Sequence, residues 1–244
     1  MNTKNITILG RHNIDLPAHG ALTDSIEHAA RELGIIVNTR WLTPDQLSDP
    51  EIAIGKTGGA IIAPRNPERS RVVVEEMLDG IRYLRENDIP TLAIECGYQH
   101  MIIELARNRL NHRDASSSGY DSSTSYPVIA SIDEDEPRLQ PLRPAPRDFW
   151  VVPGTALSAC HAGRSDITEA FRGHHLMNPD YISEFEEAGL VFSATGKLRE
   201  QKFPAAIEDS SCAFHVGVSW LPQFASKPGS AHPVIRRLVE LALG

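Results

Sequence analysis

The sequence predicts an α/β fold built on a parallel sheet covered on both faces, and three observations carry that prediction. Short apolar runs ending in Gly or Pro alternate with segments whose apolar residues recur every three or four positions. Strands separated by helix-length segments pair in parallel, because each crossover passes over a face of the sheet. The 244-residue chain is 41% apolar and 23% charged, which is enough to build such a core.

Taken in order, Ile6 to Leu9, closed by Gly10, reads as the first buried strand. A helix follows with Thr23 or Asp24 as N-cap, an apolar stripe at Leu22, Ile26, Ala29, Ala30 and Leu33, and Gly34 as its end. Ile35 to Trp41 alternates as a second strand, and Gly59 to Ala63 is a third, stopped by Pro64. The helix predicted from Arg71 to Asn87 carries Val74, Met77, Leu78, Ile81 and Leu84 on one face. Ile89 to Ile94 is a fourth strand, running through Glu95-Cys96-Gly97 into a helix from Tyr98 to Leu110.

Residues 114–147, rich in Ser, Asp, Glu and Pro, read as a loop-rich excursion around one strand, Tyr126 to Ile132. Phe149 to Pro153, Leu190 to Ala194 and Phe214 to Trp220 are strand candidates, and Pro233 to Leu243 is a closing helix. No linker divides the chain, so residues 1–244 are expected to form a single domain.

The net charge of −8 argues against a bulk electrostatic grip on nucleic acid or anionic lipid. Three widely spaced cysteines, Cys96, Cys160 and Cys212, fit neither a disulfide framework nor a paired zinc motif. The N-terminal apolar run is too short for a signal peptide, and no stretch could span a bilayer. These features predict a soluble cytoplasmic protein.

Leu92-Ala93-Ile94-Glu95-Cys96-Gly97-Tyr98-Gln99 runs from strand directly into helix, with Gly two residues after Glu95. That is the layout of a nucleophile elbow, in which a strained turn pushes one side chain into a cleft at a helix N-terminus. Asn87 through Ile94, this turn, and Gln99 through Asn108 closely resemble the class I glutamine amidotransferase domain of CTP synthase, which reads IPfLGICLGMQ followed by IEFARN. Ile26-Glu27-His28-Ala29 is similar to its EAL-HAG helix, and Asn178-Pro179 and Glu187-Ala188-Gly189-Leu190 to its VNP and EAGL. Val216 through Phe224 stand where that family has vgvQFHPEF, and Ala231-His232-Pro233 matches its HP before the last helix. The resemblance spans nearly the whole chain. It implies a three-layer sandwich with a mostly parallel central sheet, without the nucleotide-binding synthetase half.

The resemblance also shows what has changed. The family hydrolyses glutamine with a Cys nucleophile, a His base and a Glu that orients the His. In register, the Cys position is Glu95, with Cys96 one place later, the His position is Leu221 and the Glu position is Gln223. The family's PGGFG oxyanion loop stands here as Pro64-Arg65-Asn66-Pro67, and the second Pro removes an N–H donor. Its NSTEF, whose Glu receives the substrate ammonium, aligns with Ser116-Ser117-Ser118-Gly119-Tyr120. Of the three arginines in ERHRHRYEVNP, the segment Glu169 through Pro179 keeps only Arg172. Neither Leu221 nor Gln223 can take a proton near neutral pH, so ordinary glutamine hydrolysis is expected to be lost, and glutamine recognition with it.

Three readings of the cleft follow. In the first, Glu95 is a general base or nucleophile for a small polar metabolite, at an amide, amidine or other C–N bond. Arg65, Asn66, Gln99, Arg172 and His174 would then contact the substrate, with Asn66 as a replacement oxyanion donor. The plainer version of that site has Glu95 merely salt-bridged to Arg65 or Arg172. In the second, the domain is a pseudo-amidotransferase, a ligand sensor or a subunit working with a partner enzyme or further copies of itself. In the third, Cys96 is a relocated nucleophile with His100 one turn on as base, although its side chain is expected to point away from the elbow tip.

Cys160-His161 with His174-His175 matches no standard zinc spacing, and Gly55-Lys56-Thr57 lacks the full phosphate-loop run. No metal or organic cofactor is therefore expected, and a small molecule is the expected partner.

Overall fold

A computed structural model of the chain describes residues 3–64, 75–131, 144–173, 175–198 and 200–243. The first half alternates as β1 (Thr3–Leu9), α1 (Pro17–Glu32), β2 (Ile36–Leu42), α2 (Pro50–Ile54), β3 (Gly59–Ile62), α3 (Glu75–Glu86), β4 (Thr91–Ile94) and α4 (Cys96–Asn108). Then come β5 (Ser116–Ser117), β6 (Pro127–Ser131), β7 (Ala145–Val151), α5 (Ala156–Cys160), β8 (Asp166–Phe171), β9 (His175–Met177) and α6 (Ile182–Glu187). The chain closes with β10 (Leu190–Leu198), β11 (Gln201–Asp209), β12 (His215–Val218) and α7 (Pro233–Leu241).

Nine strands form one sheet in the order β2-β1-β3-β4-β12-β11-β10-β7-β8, and β5-β6-β9 form a small second one. Pairing is parallel from β2 through β12 and antiparallel from β12 through β8. Apolar residues pack on both faces, because strands buried on two sides need cover on two sides. On one face Leu22 and Ile26 of α1 and Leu238 and Val239 of α7 meet Ile6, Ile8 and Ile94. On the other, Met77 and Ile81 of α3 and Met101 and Leu105 of α4 meet Leu9, Ile62 and Ala93. The α/β class and its three layers are those expected.

Helix α1 starts at Pro17, ahead of the predicted Thr23 or Asp24 cap. Proline's fixed φ suits a first helical turn, and the extended Leu16 leads into it without a side-chain cap. Thr23 is interior, its hydroxyl donating back to the His19 carbonyl at 3.4 Å. Gly34 ends the helix at φ +66° as expected. Within the helix predicted from Arg71, residues 71–74 lie outside the described residues.

The antiparallel half curls. Although β8 is the last strand in the order, the backbone N–H of Leu221, just past β12, donates to the Ala170 carbonyl on β8 at 2.8 Å. This closure brings the end of β8 back over the end of β4, where the candidate site lies.

Candidate active site

Glu95 sits between β4 and α4 at φ +52°, ψ −104°, a backbone conformation that non-glycine residues avoid. Its own N–H is fixed by the Val218 carbonyl of β12 at 2.9 Å. Two residues on, a Cβ at position 97 would run into the Ile62 carbonyl, so only Gly lets α4 start this close to β3. The elbow read from the sequence is present, and it holds a buried carboxylate, 7% exposed.

That carboxylate does not cap its helix. One oxygen accepts from Arg172 Nε at 2.7 Å, on the residue immediately after β8. Burial alone disfavours the Arg172 charge, but the hydrogen bond and charge of Glu95 outweigh it and hold the guanidinium pKa above its ordinary value. The other oxygen, Oε2, is buried and has no hydrogen-bond partner among the described residues. Both residues border a cavity of about 200 Å³, together with Cys96, Gln99, Tyr120, His175 and Ser219. The Ser219 hydroxyl is likewise buried and unpartnered among the described residues.

The rest of the rim is more tightly held. Gln99 donates to the His175 carbonyl at 2.9 Å and accepts from the Tyr120 hydroxyl at 3.4 Å, which fixes its amide against β9. Burial, with the negative charge potential of Cys96 and Glu95 nearby, pushes the Tyr120 phenol up.

Of the seven residues predicted for the site, Glu95, Cys96, Gln99 and Arg172 are brought together here. Arg65, Asn66 and His174 lie outside the described residues. Cys96 also borders this cavity, and α4 begins with Cys96 itself, two residues before the predicted Tyr98 start. His100 is stacked on Tyr120 with ring centroids 6.3 Å apart. Burial pushes it down to about 4, and its hydrogen bond goes to the Cys96 backbone carbonyl. That is poor equipment for a base acting on the Cys96 thiol.

The positions expected to have lost the proton relay are fully enclosed. Leu221 is 0% exposed, and Gln223, 2% exposed, reaches only the Ala18 carbonyl with its amide nitrogen, at 3.4 Å. Sequence reasoning missed Ser219 as a cavity residue. It also missed a buried cluster of His161, Glu169 and His232, which three separate segments assemble. Only Ser219 carried a signal, its place directly after a predicted strand.

Comparison with known proteins settles the family. Residues 16–240 match the model of the glutamine amidotransferase class-I family. The chain belongs to the class I glutamine amidotransferases. Within this family, relatives include the CTP synthases of Haloarcula hispanica, 30% identical over 242 residues, and Frankia casuarinae, 32% identical over 257 residues. The alignments cover 98% and 99% of this chain but only 43% and 41% of those enzymes, so it spans less than half their length. Among amidotransferase structures, the glutaminase domain of Trypanosoma brucei CTPS with bound acivicin superposes with a TM-score of 0.87 at 20% identity, covering 98% of this chain and 94% of that one. A glutamine amidotransferase from Thermotoga maritima shares the fold more distantly, with a TM-score of 0.56 at 11% identity and coverage of 100% and 97%. No helix among the described residues is long and apolar enough to cross a membrane.

Proposed function

We propose that this CTP-synthase-like amidotransferase domain has lost ordinary glutamine hydrolysis and acts on a small polar metabolite at a C–N or related bond, with Glu95 as its acid/base group or nucleophile. One observation carries the reading: the elbow presents a buried carboxylate with one oxygen anchored by Arg172 and the other unpartnered at a cavity. The anchored oxygen sets the orientation of the group, and the open one can accept a proton or attack an electrophilic carbon. Strain at φ +52° supports the same reading, since backbone held in such a conformation is concentrated at functional sites. Leu221 and Gln223 supply neither a base nor an orienting carboxylate, which leaves any thiolate mechanism without its proton relay.

The cavity is smaller than the usual drug-sized pocket, which favours a compact metabolite as ligand. A cytoplasmic setting, and work alongside further copies or a partner enzyme, complete the proposal.

The alternative is a catalytically inactive ligand-binding subunit. It is favoured by the Glu95–Arg172 ion pair, which also serves as a plain structural contact. A metabolite screen of wild type beside Glu95→Gln, Cys96→Ala and Arg172→Ala separates the two. Turnover lost in Glu95→Gln and kept in Cys96→Ala supports the carboxylate enzyme. Binding without turnover supports the subunit, and ammonia released from glutamine by wild type refutes the loss of glutaminase chemistry.

A further inference from the structure

We propose that His161, Glu169 and His232 form a binding site for one zinc-like transition-metal ion, independent of the cavity at Glu95. His161 follows α5, Glu169 lies on the buried side of β8, and His232 is the N-cap of α7. One ligand atom from each lies within 4.8 Å of the other two, and the residues are 3%, 5% and 3% exposed.

Two of these atoms lack what a buried polar atom needs. Glu169 Oε1 meets His232 Nε2 at 2.8 Å, but Glu169 Oε2 and His161 Nε2 are buried with no hydrogen-bond partner among the described residues. Buried polar atoms with no protein partner are rare in folded proteins and call for a water or an ion. Two imidazoles and one carboxylate are a ligand set that zinc takes, leaving a fourth position for water. Hard cations such as magnesium prefer all-oxygen surroundings, so the chemistry selects against them.

The ligands converge only in three dimensions, at positions 161, 169 and 232, so no zinc spacing is visible along the chain. Glu169 and His232 fall on motifs shared with the CTP synthase resemblance, whereas His161 falls on none of them. The third ligand is therefore particular to this chain's α5 turn. Residues 162–166 beyond it are exposed and give an ion a way in.

Binding has a structural cost. His232 Nδ1 faces the Val234 N–H at 3.3 Å, which places the imidazole proton on Nε2 when no metal is bound. For Nε2 to ligate, that proton moves to Nδ1, and the long helix-cap contact is given up. The Glu169–His232 hydrogen bond also becomes a pair of metal bonds. The expected affinity is accordingly below that of a preformed site.

The test uses the whole chain stripped with chelator, titrated calorimetrically with zinc chloride and, in parallel, magnesium chloride. One zinc per chain is expected, with no magnesium uptake, a zinc-dependent rise in Tm, and at least a tenfold weaker affinity in His161→Ala. The His161 imidazole packs edge-on against His232 at a ring-centroid distance of 5.7 Å but makes no hydrogen bond to another described residue, so that variant should fold, which circular dichroism checks. Glu169→Gln is the second variant, with the same loss expected. Zinc binding well below one per chain overturns the proposal, as does zinc bound equally by wild type and His161→Ala. Glu169 and His232 would then be a buried hydrogen-bonded pair alone.

Discussion

Removing the guanidinium that holds Glu95, by Arg172→Met, tests whether the elbow carries a buried charge. The two side chains are 12% and 9% exposed and meet at 2.7 Å, so the substitution leaves a carboxylate that neither solvent nor another described group neutralises. Losing one partner of a buried pair costs about 3–5 kcal/mol. The adjoining cavity of about 200 Å³ admits some water, which favours the low end, about 3 kcal/mol. With a urea slope of about 3 kcal/mol/M, the unfolding midpoint should fall by about 1 M. Glu95→Gln combined with Arg172→Met should recover about 2 kcal/mol of that loss, because no unpaired charge then remains. Equilibrium urea melts of wild type, both single variants and the double variant measure the coupling. A midpoint change under about 0.2 M for Arg172→Met, or two single costs that simply add, would refute the buried-charge argument.

Three further outcomes are expected. Glu95→Gly should be more stable than Glu95→Ala by about 1–2 kcal/mol in the same melts, since glycine removes the strain of φ +52° while both lose the ion pair. His100 and His215 are buried and pushed down by desolvation to about 4 and about 3, so the unfolded chain binds more protons below the ordinary histidine range. Stability should therefore be fully present above about pH 6.5 and fall as pH drops towards 4, with His215→Leu reducing that slope by about one proton. Burial pushes the Cys160 thiol up to about 12 and raises that of Cys212, so neither should alkylate with iodoacetamide at neutral pH in intact protein. A Glu95→Cys thiol, at a helix N-terminus beside Arg172, should alkylate far faster, as peptide mass spectrometry would show.

Most of the parallel half was legible because its strands are short apolar runs bounded by Gly and Pro. The elbow was legible because Gly97 is demanded by the approach of α4 to Ile62. The start of α1 was not, since Pro17 and Thr23 both carry helix-start character and only packing decides between them. Strands β8, β9 and β11 were missed for a related reason. Asp166–Phe171 mixes acidic and apolar residues because Glu169 is buried against His232, and Gln201–Asp209 carries Pro204 within a nine-residue strand. Partners such as Arg172 for Glu95 were open alternatives in the sequence. Their choice depends on how far the antiparallel half curls, which no local pattern encodes.

That curl has a bearing on how the molecule assembles. On its β3 side the elbow rests on a pairing bridged by α3, whereas its counter-ion arrives 77 positions later, at the outer end of the sheet, and the Val218 carbonyl that holds its N–H arrives later still. Contacts so far apart in the chain are costly to close and tend to form late. A partly folded molecule in which only β3 and β4 have paired therefore has neither the counter-ion nor a complete pocket. Any ligand spanning Glu95 and Arg172 would act as a brace across the seam between the two halves, slowing amide exchange in β7 and β8 more than in β1 or β3.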